Sequence, residues 1–296
     1  MTDLSRRTAL ECMLWAGSGV IWTVDAGIPR TARAADAGFM FAQVSDSHLG
    51  FKGDPNTDTP ATFRQAVGMI RSFKPSFVVH TGDVSHLSKP DEIDMGAQIL
   101  KETGTTTYVV PGEHDWLDNG VAYRARFGVK VADHTWHAFD QHGVHFVALN
   151  NVAGFSKAGL GRLGKAQMEW LAKDLAARPA SQPIVILAHI PLWSVYPKWG
   201  WATEETPQLL TLLRRFGSVT VLNGHIHQVL QKVEGHVSFH TALSTAFPQA
   251  APGSAPHPGP YHLKPGTLGR YLGVRRVNFV PGRSELATID TTLAGA

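Results

Sequence analysis

Five apolar runs in this chain each stop at a residue that can bind a metal ion or move a proton. "FMFAQVS" (residues 39–45) runs into Asp46 and His48, "FVVHTG" (77–82) into Asp83, and "TYVVPG" (107–112) into Glu113, His114 and Asp115. "IVILA" (184–188) runs into His189, and "VTVLNG" (219–224) into His225 and His227. Short runs rich in Val and Ile and bounded by Gly or Pro read as buried strands. In open α/β sheets, ligands sit in the crevice beyond the carboxyl ends of the strands. If these strands share a sheet, all five polar ends converge on one edge.

Amphipathic segments fill the gaps between the runs. Phe63, Ala66, Val67, Ile70 and Phe73 follow helical spacing, and Ile93, Ala97 and Leu100 share one face of a helix over residues 91–102. A further helix over residues 165–177 carries the stripe Met168, Leu171, Ala172, Leu175 and a favourable Glu169–Lys173 pair. Residues 207–216 form another, closed by Gly217. Residues 135–150 read as a hairpin around Gln141, His142 and Gly143. After His225 only strands follow, near 228–233, 237–243, 271–280 and 285–289, with a Pro- and Gly-rich loop over 248–265. No repeat or linker interrupts residues 35–290, so the expectation is one α/β domain over residues 35–296 with a strand-rich C-terminal part.

Residues 1–34 are expected to stand outside that domain. Arg6 and Arg7 precede an apolar stretch from Leu14 to Val24, and Ala32, Arg33 and Ala34 follow as a small-x-small cleavage pattern. The pattern resembles a twin-arginine export signal, with Ala9 and Glu11 departing from it. That resemblance implies an exported protein, periplasmic or extracellular, with no membrane span after cleavage; the run is short and Gly-interrupted for a span. Cys12, the one cysteine, lies inside the signal. Any metal in the mature chain must therefore be held by His and carboxylates. The net charge of +3 and the scatter of the 27 Lys and Arg leave no nucleic-acid footprint. Oligomeric state is not readable.

Asp46, His48, Asp83, Glu113, His189, His225 and His227 together offer seven oxygen and nitrogen ligands. That set suits two borderline metal ions sharing a carboxylate, with positions left for solvent. Two such ions clamp a phosphoryl group and acidify a shared water, so no protein nucleophile is required.

The order D-x-H, G-D, G-x-H-D, H, G-H-x-H is similar to that of the calcineurin-like metallophosphoesterase superfamily, over Asp46 to His227. "GRLGKAQMEWLAKDL" (161–175) also resembles the helix before the fourth motif in the class III cyclic-nucleotide phosphodiesterase branch. The resemblance implies a four-layer αββα sandwich and a dinuclear centre, for which the mixed His and carboxylate ligands accept Fe, Mn, Zn or Co, with Fe, Mn or Zn expected. It implies that Asp46, His48 and His227 bind the first ion, that Asp83 bridges, and that His189 and His225 bind the second. It makes His114 a non-ligand that assists the leaving group, with Asp115 orienting its ring. The implied reaction is attack of a metal-bridging hydroxide on a small-molecule phosphodiester or phosphomonoester.

Glu113 departs from that pattern, which has Asn at this position. With Asn the two ions, two carboxylates and a hydroxide carry about +1; with an ionised Glu113 they carry about 0. A neutral centre attracts a dianion less, which favours monoanionic diesters. Two other outcomes stay open: Glu113 crowds out the second ion, or the chain is a metal- or phosphate-binding protein with weakened activity. His86 stands where purple acid phosphatases place a ligating Tyr and reads as a loop histidine.

Several features read as decoys. "GLGRLGK" (159–165) lacks the Ser or Thr of a P-loop and a leading strand, and reads as a turn into a helix. His134, His137, His142 and His145 on the hairpin read as exposed, and His236 and His240 as ordinary strand residues. His257 and His262, in the Pro-Gly loop, are within plausible reach of a substrate. Trp193, Trp199 and Trp201 are candidates for the pocket wall, with plain packing as the alternative.

Overall fold

The computed structural model of the chain describes residues 21–25, 28–32, 38–128, 134–280 and 286–295. The first two segments, β1 (Ile21–Asp25) and β2 (Ile28–Ala32), pair antiparallel as a two-stranded sheet of their own. The twin arginines, Arg6 and Arg7, lie outside the described residues. No described helix is long and apolar enough to cross a membrane.

The rest alternates strand and helix. β3 (Phe39–Val44), α1 (Thr59–Phe73), β4 (Val78–His80), α2 (Pro90–Lys101), β5 (Thr107–Val109) and α3 (Val121–Phe127) come first. The hairpin β6 (His137–Gln141) and β7 (Val144–Ala148) follows, then α4 (Gly164–Ala176), β8 (Ile184–Leu187), α5 (Thr206–Leu213) and β9 (Val219–Asn223). Strands close the chain: β10 (Gln231–Glu234), β11 (Val237–Thr241), β12 (Gly273–Phe279) and β13 (Ala287–Thr292). The helix ends carry the expected local chemistry. The Asp58 side chain accepts from the Ala61 amide at the start of α1, Pro60 occupies its first turn, and Lys74 closes it in the left-handed region.

The four-layer expectation holds, and the condition of one shared sheet does not. The five metal-capable strand ends do not share a sheet. β3, β4 and β5 lie parallel in a five-stranded sheet of order β13-β12-β3-β4-β5. β8 and β9 lie parallel in a six-stranded sheet of order β10-β11-β9-β8-β7-β6. Convergence survives because the two sheets pack face to face. Period-two alternation along each strand makes this readable in the core. Phe39, Phe41, Val79, Phe146, Val185, Leu187, Leu222 and Val277 point between the sheets. Their neighbours Ala42, Val44 and Val78 point outward to Phe63, Val67 and Ile70 of α1. Ile184, Ile186 and Val221 point the other way, to Leu171 and Leu175 of α4 and Leu209 and Leu213 of α5. Three apolar interfaces separate four layers, α, β, β and α. In the middle one Phe41 stacks on Phe77 at 5.0 Å, and Phe146 meets Phe77 edge-on at 5.3 Å.

The decoys resolve as packing. Gly164, at φ 76°, turns the "GLGRLGK" segment into α4, where Glu205 accepts from the Leu163 and Gly164 amides. His145 departs from the exposed reading: it is buried, with Nδ1 3.0 Å from Asp140 and Nε2 2.7 Å from Asp174. His240 is buried, and burial with the nearby Arg275 guanidinium pushes it down to about 4; His236 is exposed. Trp193 packs on Phe239 in the core rather than at the pocket.

Candidate metal centre

The loops leaving β3, β4, β5, β8 and β9 bring all seven expected ligand side chains to one place. Asp46, His48 and His227 offer atoms within 4.8 Å of one another, as do Glu113, His189 and His225. Asp83 stands between the two groups. Its Oδ2 is 3.5 Å from His48 Nε2 and 3.3 Å from His189 Nε2. Asp46 Oδ1 lies 3.3 Å from His227 Nε2 and 3.9 Å from His189 Nε2.

Local backbone geometry makes this approach happen. Asp46, His48, Asp83, His225 and His227 all have φ between 41° and 72°. This left-handed region is unfavourable for most side chains, though Asp and His tolerate it better than most. Each loop therefore turns back sharply at the ligand itself. Two glycines allow the loops to close on each other. A Cβ on Gly112 would strike the Asp83 carboxylate, and one on Gly224 would strike the Ser45 side chain and the Asp46 carboxylate.

The donor set fits metal ions. Buried polar atoms normally find hydrogen-bond partners. Asp46 Oδ2, Glu113 Oε2, His189 Nε2 and His225 Nδ1 are buried without a partner of good hydrogen-bond geometry, as are Trp136 Nε1, His137 Nδ1 and Arg276 Nε elsewhere, and Glu113 faces the two imidazoles only as ion pairs, at 2.8–2.9 Å. The first four belong to the cluster. Two of the other ring nitrogens are already committed: His189 Nδ1 donates to the Thr81 carbonyl at 2.7 Å, and His227 Nδ1 to that of Phe247. Such outer bonds fix the tautomer and leave Nε2 as the ligating nitrogen.

Within the cluster the carboxylates and imidazoles favour each other's charged forms: against burial, Asp83 and Glu113 raise the His189 ring well above its ordinary value. Burial raises the Asp46 and Glu113 carboxyls, but the facing imidazoles prevail and hold both below the usual carboxylate range. His227 and His189 act on Asp46, and His225 and His189 on Glu113. His48 is pushed well below its ordinary value by burial, with His114 and His227 adding to the effect.

Glu113 reaches into the cluster despite its extra methylene. Its Oε2 is 2.9 Å from His189 Nε2 and its Oε1 2.8 Å from His225 Nδ1. It begins a 3₁₀ turn, Glu113–Asp115, that also carries the next two site residues.

Asp115 requires a correction. It does not orient the His114 ring. It is fully buried, and its oxygens accept from the Val84, Ser85 and Gly112 amides and the Ser85 hydroxyl, at 2.8–3.1 Å. It ties the loops after β4 and β5 together. Burial, with the Asp83 carboxylate nearby, pushes its own carboxyl up to about 6. The His114 ring is oriented instead by the His86 carbonyl, 2.7 Å from Nδ1. Burial lowers the His114 ring, but the Asp83 and Glu113 carboxylates prevail and raise it.

His86 is the residue that sequence reading underrated. Its ring stacks on His114 at 4.9 Å and 14°, and its Nδ1 is 3.3 Å from His48 Nδ1. Its position three residues past Asp83, in the same loop, was the available signal. The cavity above the cluster measures about 360 Å³, and His86, Phe51, Trp201 and Phe247 help to line it. The Pro-Gly loop reaches it as well, through Pro258, Gly259 and Pro260 rather than through His257 or His262. His262 pairs with Asp54 instead. Gln249 anchors that wall, donating to the His225 carbonyl at 2.8 Å and accepting from the Gly259 amide at 3.2 Å.

Known proteins resemble the chain at three levels. A family model described as calcineurin-like phosphoesterase matches residues 39–229. A protein from Nostoc named as a 3',5'-cyclic-nucleotide phosphodiesterase is 24% identical over 213 residues, 67% of this chain and 75% of that one. A probable glycerophosphodiester phosphodiesterase from Arcobacter nitrofigilis is 24% identical over 205 residues, 64% of this chain and 72% of that one. Among solved structures, a dimetal phosphatase from Danio rerio superposes with a TM-score of 0.60 at 16% identity, covering 86% of this chain and 99% of that one.

Proposed function

Because the chain belongs to the calcineurin-like phosphoesterase family, we propose that it is a hydrolase that prefers phosphodiesters and works with two metal ions. Phosphoester hydrolysis is common to the relatives, which are named as phosphodiesterases and an acid phosphatase. Asp46, His48 and His227 would hold one ion, Glu113, His189 and His225 the other, and Asp83 would face both. When bound, such a pair polarises the phosphoryl oxygens and acidifies water. The protein's own part is placement and proton control. Its loops hold the ligands at fixed separations, and the His86 carbonyl holds the His114 Nδ1 proton so that Nε2 is left to serve the departing oxygen. Fe, Mn and Zn all suit the mixed His and carboxylate set.

One observation carries the diester preference: both Glu113 oxygens lie within 3 Å of ligand histidines, at 2.9 and 2.8 Å, so its charge enters the centre. Glu113→Asn restores about one positive charge, and the monoester-to-diester ratio in kcat/KM is expected to rise at least about tenfold. Matched monoester and diester substrates of p-nitrophenol measure it. A wild-type preference for the monoester would remove the reading. Elemental analysis of the same proteins tests ligation: two ions per chain in wild type and fewer in Glu113→Ala. One ion in wild type rising to two in Glu113→Asn would instead mean that Glu113 blocks the second position.

We further propose that residues 1–34 direct export of the chain to the periplasm, on the strength of the twin arginines and the cleavage pattern. Replacing Arg6 and Arg7 by Lys should leave the full-length precursor in the cytoplasm on cell fractionation. Unchanged processing and export would exclude the twin-arginine route.

A further inference from the structure

The cavity over the centre has an unusual wall for a phosphate site. Sites that take dianions or polyphosphates commonly set Arg or Lys against the phosphoryl oxygens. Here, among the described residues, no Lys or Arg lines the cavity. In their place is a closed circuit of five rings. His48 lies 4.9 Å from Phe247, Phe247 4.5 Å from Phe51, and Phe51 5.2 Å from His86. His86 lies 4.9 Å from His114, and His114 4.7 Å from His48. The circuit therefore runs from a ligand histidine, out along the wall, and back to the residue beside the departing oxygen. Phe51 is its outermost apolar member and stays half-buried; its amide donates to the His48 carbonyl, which ties it to the metal loop. Pro258 and Pro260 add further apolar surface to the same cavity, held there by Gln249.

We propose that this wall selects the substrate: a monoanionic phosphodiester with one flat, uncharged aromatic ester group seated on Phe51 and the proline wall. The proposal rests on the phosphodiesterase reading above and adds the identity of the ester group. Aromatic rings stack on Phe and pack on Pro with a gain beyond the area they bury. A second anionic group or several hydroxyls would be desolvated there without partners. In the reaction, water adds its oxygen to phosphorus. The P–O bond to the aromatic alcohol breaks, its electron pair stays on the alcohol oxygen, and that oxygen takes up a proton.

The test compares methyl benzyl phosphate with methyl 2-methoxyethyl phosphate, whose departing alcohols are similar in acidity, and with methyl choline phosphate, on the metal-loaded full chain. The benzyl ester should lead the methoxyethyl ester in kcat/KM by about tenfold or more. Phe51→Ala should bring that ratio close to one, and Phe51→Leu should keep part of it. Affinities for methyl benzylphosphonate and methyl 2-methoxyethylphosphonate, read by calorimetry, should differ in the same sense without any turnover. Equal affinities, a lead for the choline ester, or a ratio that survives Phe51→Ala in a folded protein would overturn the proposal. Selective phosphonate binding with no diester hydrolysed would keep the pocket and remove the hydrolase reading. Hydrolysis without selectivity would do the reverse.

Discussion

Asp83→Asn is expected to lower metal content below two ions per chain and kcat/KM by at least about 10³-fold. Asp83 faces both halves of the ligand cluster, at 3.5 Å from His48 Nε2 and 3.3 Å from His189 Nε2. An amide is close to isosteric, so the loops should stay in place. Its retained oxygen can still accept from the His114 amide, as Oδ1 does at 2.9 Å in the wild type. The lost charge and the N–H groups turned toward the histidine lone pairs are what remove the ions. Elemental analysis and steady-state kinetics on the same preparation provide the check, with circular dichroism to confirm the fold. Two ions per chain and near-normal activity in Asp83→Asn would show that Asp83 is no ligand.

The second large effect is expected at His114. His114→Ala should keep its metal content and lose about 10²–10⁴-fold in kcat, the usual range for a positioned general acid. The loss should be largest for alkyl esters, whose alkoxide needs a proton, and smallest for p-nitrophenyl esters, whose phenolate leaves unaided. A merely structural histidine would lower both alike. Equal losses for the two ester types would exclude the acid role and leave His114 as a binding residue.

Much of this site was legible in the sequence because its signal is local. A ligand at the end of an apolar run depends on a few neighbouring residues, and Asp46, His48, Asp83, Glu113, His189, His225 and His227 all stand at such ends. The helix positions were equally readable, because 3.6-residue periodicity also stays within one segment. Pairing between strands does not. Nothing in "FVV" or "IVIL" records which sheet it enters, and both faces of each strand are apolar because each sheet is covered on both sides. The division into two sheets was therefore visible only through the family resemblance. Asp115 misled for a related reason: adjacency in sequence suggested a bond to His114, while the carboxylate is spent on amides about thirty residues earlier in the chain and on Gly112. The Pro258–Pro260 wall depends on Gln249 reaching the His225 loop, a long-range contact that composition cannot show.

The left-handed turns at the ligands have a consequence for how the chain persists. A non-glycine residue held in such a conformation costs on the order of 1 kcal/mol or more, and five of the seven ligand residues are held that way. Their buried, unpartnered oxygens and nitrogens add to the cost. An ion that binds only the folded chain offsets it by mass action, about 2.7 kcal/mol when free metal is a hundredfold above Kd. The resistance of the chain to heat and to proteolysis then becomes a titration against the metal supply of its compartment. Scarcity would remove the protein as well as its activity.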